Sequence, residues 1–177
     1  QPYVGVKEME KQGHFPSYIY RGYKTDIYEG GHRIPLIVSW KGKFSNETNN
    51  SLVSLTDFYA TFAQMVNHKL KDEEAVDSYS IWPILSKQGA SNRKDLVYES
   101  GKGYLSLRTP QLKLVFNGGS GGWGYPNKPA DLAQLPPMQL FNLKEDPSEK
   151  ENIIHDKCYE QEVKEMTQLI RKYVKEG

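Results

Sequence analysis

The segment from Arg21 to Pro35, RGYKTDIYEGGHRIP, holds the residues best equipped for chemistry in this sequence. Arg21, Lys24 and His32 can each donate hydrogen bonds, and all three lie on the segment that leads into LIVSW, an apolar run that reads as a strand. Donors gathered at a strand end suit an anionic ligand such as a sulfate, phosphate or carboxylate. Gly30 and Gly31 allow either a positive φ or a close backbone approach. The residues alone equally admit a solvated loop with an internal Arg–Glu or Lys–Asp pair.

A second candidate is the loop Gly118-Gly-Ser-Gly-Gly-Trp-Gly-Tyr125. It lacks the Gly-Lys-Ser/Thr ending of a phosphate-binding P-loop and opens no helix, so a phosphate cradle is a poor reading. Trp123 and Tyr125 on such a loop suit a lid or a stacking platform over a substrate, with a long flexible hairpin loop as the alternative. His14, in GHFPSY, can act as a base, an anion contact or a surface imidazole. His68 and His155 read as surface residues, and Asp146-Pro147 reads as a turn. No paired carboxylates, no Ser/His/Asp arrangement and no metal-ligand cluster can be assembled, so no metal ligand is assigned.

The elements that must position these groups follow from periodicity. A short helix is expected around VKEMEKQG and a strand, covered on both faces, over Ile34–Trp40. Ser54 and Asp57 form a capping-box-like pair ahead of a helix whose Leu55, Phe58, Phe62, Met65 and Val66 recur at helical spacing. A second short helix is expected around Ser80–Leu85, with Pro83 in its first turn. From about residue 90 the pattern changes to short strands, DLVYES, GYLSLRT and QLKLVFN, joined by Gly and Pro turn signals, with MQLFNL resuming after the Gly-rich excursion. The last segment is amphipathic, with Tyr159, Val163, Met166, Ile170 and Val174 on one helical face. The expected class is therefore α+β, ending in a small antiparallel sheet of about four strands packed on a C-terminal helix. The expected division is 1–90 and 91–177.

With 177 residues the chain can bury a core, and its net charge of +1 carries no electrostatic footprint for nucleic acid. No apolar run approaches a membrane span. Its one cysteine, Cys158, excludes an internal disulfide and reads as an ordinary helix residue. A first residue of Gln, not Met, points to a processed or truncated chain, so missing targeting signals carry no weight. Asn46 and Asn49 head N-x-Ser/Thr sequons in an exposed loop, which matter only in a secreted eukaryotic protein.

RGYKTDIYEGGHRIPLIVSW resembles the second signature of the type I sulfatases of the alkaline-phosphatase-like superfamily, Gly-x-Lys-x4-Glu-Gly-Gly-x-Arg-x-Pro. Gly22, Lys24, Glu29, Gly30, Gly31, Arg33 and Pro35 match it. The order of SLTDFYATFAQM, DSYSIWPIL and QLFNLKEDPSEKENI also resembles the family, with Ser78, Phe141 and Asn142 as departures. The His14–Pro35 stretch and the GSGGW loop resemble glycan-acting sulfatases of gut Bacteroidetes. The resemblance implies the C-terminal part of an α/β sulfatase, with residues 1–90 ending the catalytic domain and 91–177 forming a C-terminal subdomain. It implies that Lys24 contacts the substrate sulfate and that Glu29, Gly30, Gly31 and Arg33 hold the loop. His14, Arg21, His32, Trp123 and Tyr125 become candidate substrate contacts on a sulfated carbohydrate.

It implies further a formylglycine nucleophile and calcium in the parent enzyme. Neither the Cys/Ser-x-Pro-Ser/Ala-Arg motif nor the calcium-binding acidic pairs occur in this sequence, so the chain alone is expected to be inactive. A periplasmic or secreted location goes with the resemblance. A phosphoesterase or phosphonate hydrolase of the same superfamily is the enzymatic alternative, and a non-catalytic glycan-binding module the alternative from another class. Separation from the rest of a doubly wound domain is expected to expose apolar surface around Ile34–Val38, with self-association as its consequence.

Overall fold

The computed structural model describes residues 4–176, so the ends of the chain at Gln1 and Gly177 lie outside the described residues. Its helices are α1 (Val4–Lys11), α2 (Glu29–His32), α3 (Asp57–Met65), α4 (Trp82–Leu85), α5 (Pro129–Leu132) and α6 (Glu160–Glu176). The strands are β1 (Leu96–Glu99), β2 (Leu105–Arg108), β3 (Leu112–Val115) and β4 (Gln139–Asn142), and they form one sheet in the order β1-β2-β3-β4. The fold is α+β, as the pattern of short strands followed by an amphipathic helix requires. Two compact units emerge, one joining the chain up to Ile34 with Val97 onward, the other comprising Pro35–Leu96.

In the first unit the sheet is covered on both faces. Antiparallel register pairs Leu107 with Leu114 and Leu114 with Leu140, placing these three on one face. They bury against Met166 and Ile170 of α6, with Tyr159 and Val163 packed at the edge of the same cluster. Burying each large aliphatic side chain contributes about 1.5–3 kcal/mol, which is what fixes α6 to the sheet. Val174, in the last turn of the predicted helical face, is exposed.

The opposite face carries Arg108, Lys113 and Phe141, paired in register, with Ser106, Val115 and Gln139 alongside. Alternation alone would leave this face to water. Instead Ile27 and Tyr28, both essentially inaccessible, pack on Val115, Phe141 and Leu143. Tyr28 meets Phe141 edge-on at 6.1 Å, and its hydroxyl donates to Gln139 Oε1 at 3.1 Å. The segment before α2 is therefore the second cover of the sheet.

In the second unit, a buried Asp57 at the start of α3 organises its neighbours. Its carboxylate accepts the N–H groups of Ser54 and Tyr79 and the guanidinium of Arg93, which reaches it at 2.5 and 3.0 Å. One turn later Thr61 donates to the Asp57 carbonyl and accepts from the Ile81 N–H. The Asp-x-x-x-Thr spacing thus bolts α3 to the segment that enters α4. Trp82 heads α4, with Pro83 in its first turn as expected.

The strand expected over Ile34–Trp40 does not form. This stretch has no regular secondary structure and no ladder partner, and Ile34, Leu36, Ile37, Val38 and Trp40 are exposed, Ile37 to 90%. The residue types favour a strand, but a strand needs a neighbour to receive its N–H and C=O groups. Among the described residues none is supplied.

Candidate functional site

The segment Arg21–Arg33 folds as a tight loop leading into the single helical turn α2. Gly22 takes φ +80°, and Thr25 is held at +82° despite its branched side chain. Asp26 closes the loop from within. Its Oδ2 accepts the Tyr23 N–H at 3.0 Å, and its own N–H donates to the Tyr23 carbonyl at 2.9 Å. Gly30 and Gly31 lie in α2 with ordinary helical backbone, so their role is close approach. A Cβ at Gly30 would run into the carbonyls of Gly22 and Arg21, and one at Gly31 into those of Asp26 and Tyr23.

Beneath α2 lies a buried ionic network. Glu29, 2% exposed, is approached by Lys113 Nζ and Arg108 Nε at 3.3 Å and by Arg33 Nη1 at 3.8 Å. Lys113 also lies 3.0 Å from Glu149 Oε1, an ion pair without hydrogen-bond alignment, while Glu149 Oε2 accepts the Glu29 N–H at 2.6 Å. Burial pushes both carboxyls up, but at Glu29 the Lys113 and Arg108 cations outweigh it and hold the group below its usual range. Glu149 is more deeply buried and shares one cation, so burial wins and its carboxyl is raised. Burial also lifts the Tyr28 phenol to about 12 despite the nearby Arg21.

The predicted residues fall in distinct places. Lys24 is exposed at the loop tip. Arg21 is half-buried, its guanidinium 3.9 Å over the Tyr28 ring and donating to the Glu149 carbonyl at 2.8 Å. His32 stacks flat on Tyr98 at 4.5 Å, and its buried Nε2 has no hydrogen-bond partner. Burial, reinforced by the Lys113 charge, lowers the His32 imidazole to about 4. His14 is exposed in the turn after α1, a helix that reaches the loop through the Glu10 carboxylate, which accepts from the Tyr23 hydroxyl.

The Gly-rich loop is packed, not loose. Residues 117 and 119–122 are buried, and the segment is stitched to the Lys24 loop. Ile27 N–H donates to the Ser120 carbonyl at 2.8 Å, Gly124 N–H to Asp26 Oδ1 at 2.8 Å and Trp123 N–H to Thr25 Oγ1 at 3.3 Å. Side chains at Gly122 or Gly124 would collide with Thr25 and Asp26. This docking leaves Trp123 half-exposed and Tyr125 75% exposed beside the segment that carries Lys24. The arrangement places the exposed Lys24 and the exposed aromatic rings of Trp123 and Tyr125 on two segments that are hydrogen-bonded to each other.

Sequence reasoning missed Asp26, Tyr98, Arg108, Lys113 and Glu149. A signal existed for Lys113: it sits mid-strand in QLKLVF, on the same side as Val115, a face that an apolar residue marks as covered. Glu149 gave none, since EDPSEKEN reads as a solvated turn. Among the described residues, no group of three or more His, Cys, Asp or Glu side chains could hold a metal ion. Cys158 is exposed in the 3-10 turn before α6 and is followed by Tyr159. The residues present therefore fit neither a calcium site nor a formylglycine precursor. Among the described residues, no helix is long and apolar enough to cross a membrane.

Comparison with known proteins gives a consistent picture. Residues 10–68 match the family model described as Sulfatase. The chain is 31% identical over 158 residues to an N-acetylgalactosamine-6-O-sulfatase of Bacteroides thetaiotaomicron, an alignment covering 89% of this chain and 30% of that protein. It is 28% identical to human arylsulfatase A over 142 residues, covering 74% of this chain and 28% of the relative. A solved structure described with the metabolism of multiple glycosaminoglycans by Bacteroides thetaiotaomicron superposes with a TM-score of 0.77 at 28% identity, over 94% of this chain and 34% of that one. The chain thus spans about a third of the length of the proteins it matches.

Proposed function

We propose that this chain, which is similar over most of its length to part of a sulfatase, is a C-terminal portion of one and serves a sulfuric ester hydrolase by supplying one sulfate-binding cation and part of the substrate pocket. The observation that carries this reading is Lys24: it lies within the matched segment, exposed at the tip of a loop fixed by Asp26 and buried ionic contacts. A preorganised ammonium there stabilises negative charge on the sulfate and on the leaving oxygen as the ester bond breaks. Trp123 and Tyr125 stack on the sugar that carries the sulfate, and His14, Arg21 and His32 border the site.

The substrate in this proposal is a sulfated carbohydrate. The name of the Bacteroides relative makes an N-acetylgalactosamine 6-sulfate the first compound to assay. Calcium and formylglycine belong in this proposal to the longer protein, because the residues described here fit neither. The division at residue 90 into the end of a catalytic domain and a C-terminal subdomain, and a periplasmic or secreted location, are parts of the same proposal.

In the longer protein, Lys24→Ala is expected to lower kcat/KM for a sulfate ester by about 10²–10³-fold, the effect typical of losing one charge-stabilising group. Retention of activity within threefold would overturn the reading, and a preference for phosphate esters in the same assay would redirect it. The purified 177-residue chain should hydrolyse no aryl sulfate.

A further inference from the structure

The loop that bears Lys24 is pinned at both ends to a single residue that lies more than a hundred positions away. At its start, Arg21 Nη1 donates to the Glu149 carbonyl at 2.8 Å; at its end, the Glu29 N–H donates to Glu149 Oε2 at 2.6 Å. Glu149 is fully buried and holds φ at +52°, a left-handed backbone that a non-glycine side chain adopts at a cost. That geometry turns its carbonyl and its carboxylate towards the two ends of one loop. The turn around it is fixed independently by Asp146, whose carboxylate accepts from Ser148 Oγ and from the Lys150 and Glu151 N–H groups.

We propose that Glu149 is a positioning residue that closes the Lys24 loop, acting through the hydrogen bond from Glu29, with Lys113 as the counter-charge that lets its carboxylate remain buried. This rests on the reading of Lys24 as the sulfate-binding cation. A mainly electrostatic role in the core would depend on the charge of Glu149; a positioning role depends on its acceptor oxygen. Glu149→Gln keeps an acceptor and loses the charge, whereas Glu149→Leu loses both. Both variants remove the Glu149 charge and leave Lys113 paired with Glu29, so their main difference is the acceptor offered to the Glu29 N–H.

The experiment compares both variants with Lys24→Ala, reading amide hydrogen exchange over residues 21–33 and kcat and KM for a sulfate ester in the longer protein. Positioning predicts that Glu149→Leu accelerates exchange at Glu29 and Gly30 by about tenfold relative to Glu149→Gln, the scale of one buried hydrogen bond. It also predicts a further loss in kcat of comparable size with KM little changed. Equal exchange and equal kcat in the two variants overturns the proposal. Full activity in Lys24→Ala overturns the sulfate-binding reading instead, and the exchange difference then still decides whether Glu149 holds the loop. If Glu149→Leu does not fold, the pair Lys113→Met with Glu149→Leu removes the buried cation along with its lost partner and is compared with Lys113→Met with Glu149→Gln by the same readouts.

Discussion

At the scale of single residues, the site separates into groups that face outwards and groups spent on holding them. Lys24, Trp123 and Tyr125 are presented to solvent, whereas Arg21 packs on Tyr28 and His32 on Tyr98. Trp123→Ala is expected to raise KM for a sulfated sugar by about 2–10-fold, the range of one aromatic contact, with kcat little changed. An unchanged KM would remove Trp123 from the pocket. His32 gives a pH prediction. Its imidazole is lowered to about 4 by burial and the Lys113 charge, against the attraction of Glu29 and Asp26, so the unfolded chain binds its proton first. Stability from this group is thus complete above about 6.5 and lost as pH falls from there towards 4. Urea midpoints measured across that window should decline less steeply for His32→Phe, which retains a ring against Tyr98. Equal slopes would show that other groups set the acid limb.

At the scale of elements, the sequence disclosed what depends on local pattern. The four strands, α1, α3, α4 and α6 form close to where periodicity, capping pairs and turn residues place them, but Leu55, Phe62 and Val66 from the expected apolar face of α3 are exposed, and the helix buries Asp57, Ala60, Thr61 and Ala63 instead. The run Ile34–Trp40 was misread because apolarity indicates a wish for burial, not the presence of a partner strand. The network beneath α2 was invisible for a related reason: Lys113 and Glu149 meet Glu29 only after the loop folds across the sheet, at sequence distances no periodicity encodes. Of the candidate loop, the exposed lysine and the paired glycines were legible, but the glycines act by admitting backbone, not by turning it. Gly30→Ala therefore forces α2 away from the Gly22 and Arg21 carbonyls. It is expected to cost roughly 1–3 kcal/mol, measured by urea denaturation, as overpacking typically does. A change below 0.5 kcal/mol would mean that the close approach is not required.

At the scale of the whole molecule, the apolar residues exposed over Ile34–Trp40 make self-association the expected behaviour of the isolated chain. Ile37→Lys, at the most exposed of them, should shift the chain towards monomer in sedimentation at equal concentration while leaving the melting temperature unchanged. An unaltered distribution would clear this segment as the contact. The sheet's two covers come from opposite ends of the first unit, and Pro35–Leu96 intervenes between them. Helix α6 reaches the sheet through nearby sequence, but the Lys24 loop must find residues up to 128 positions away. Closing so long a connection carries an entropic cost that short-range hairpins avoid. In time, then, the Lys24 loop is expected to be the last part of this unit to assemble and the first to open. A nascent chain would hold a finished sheet and helix before this loop closes, and a heated one would keep them after it opens.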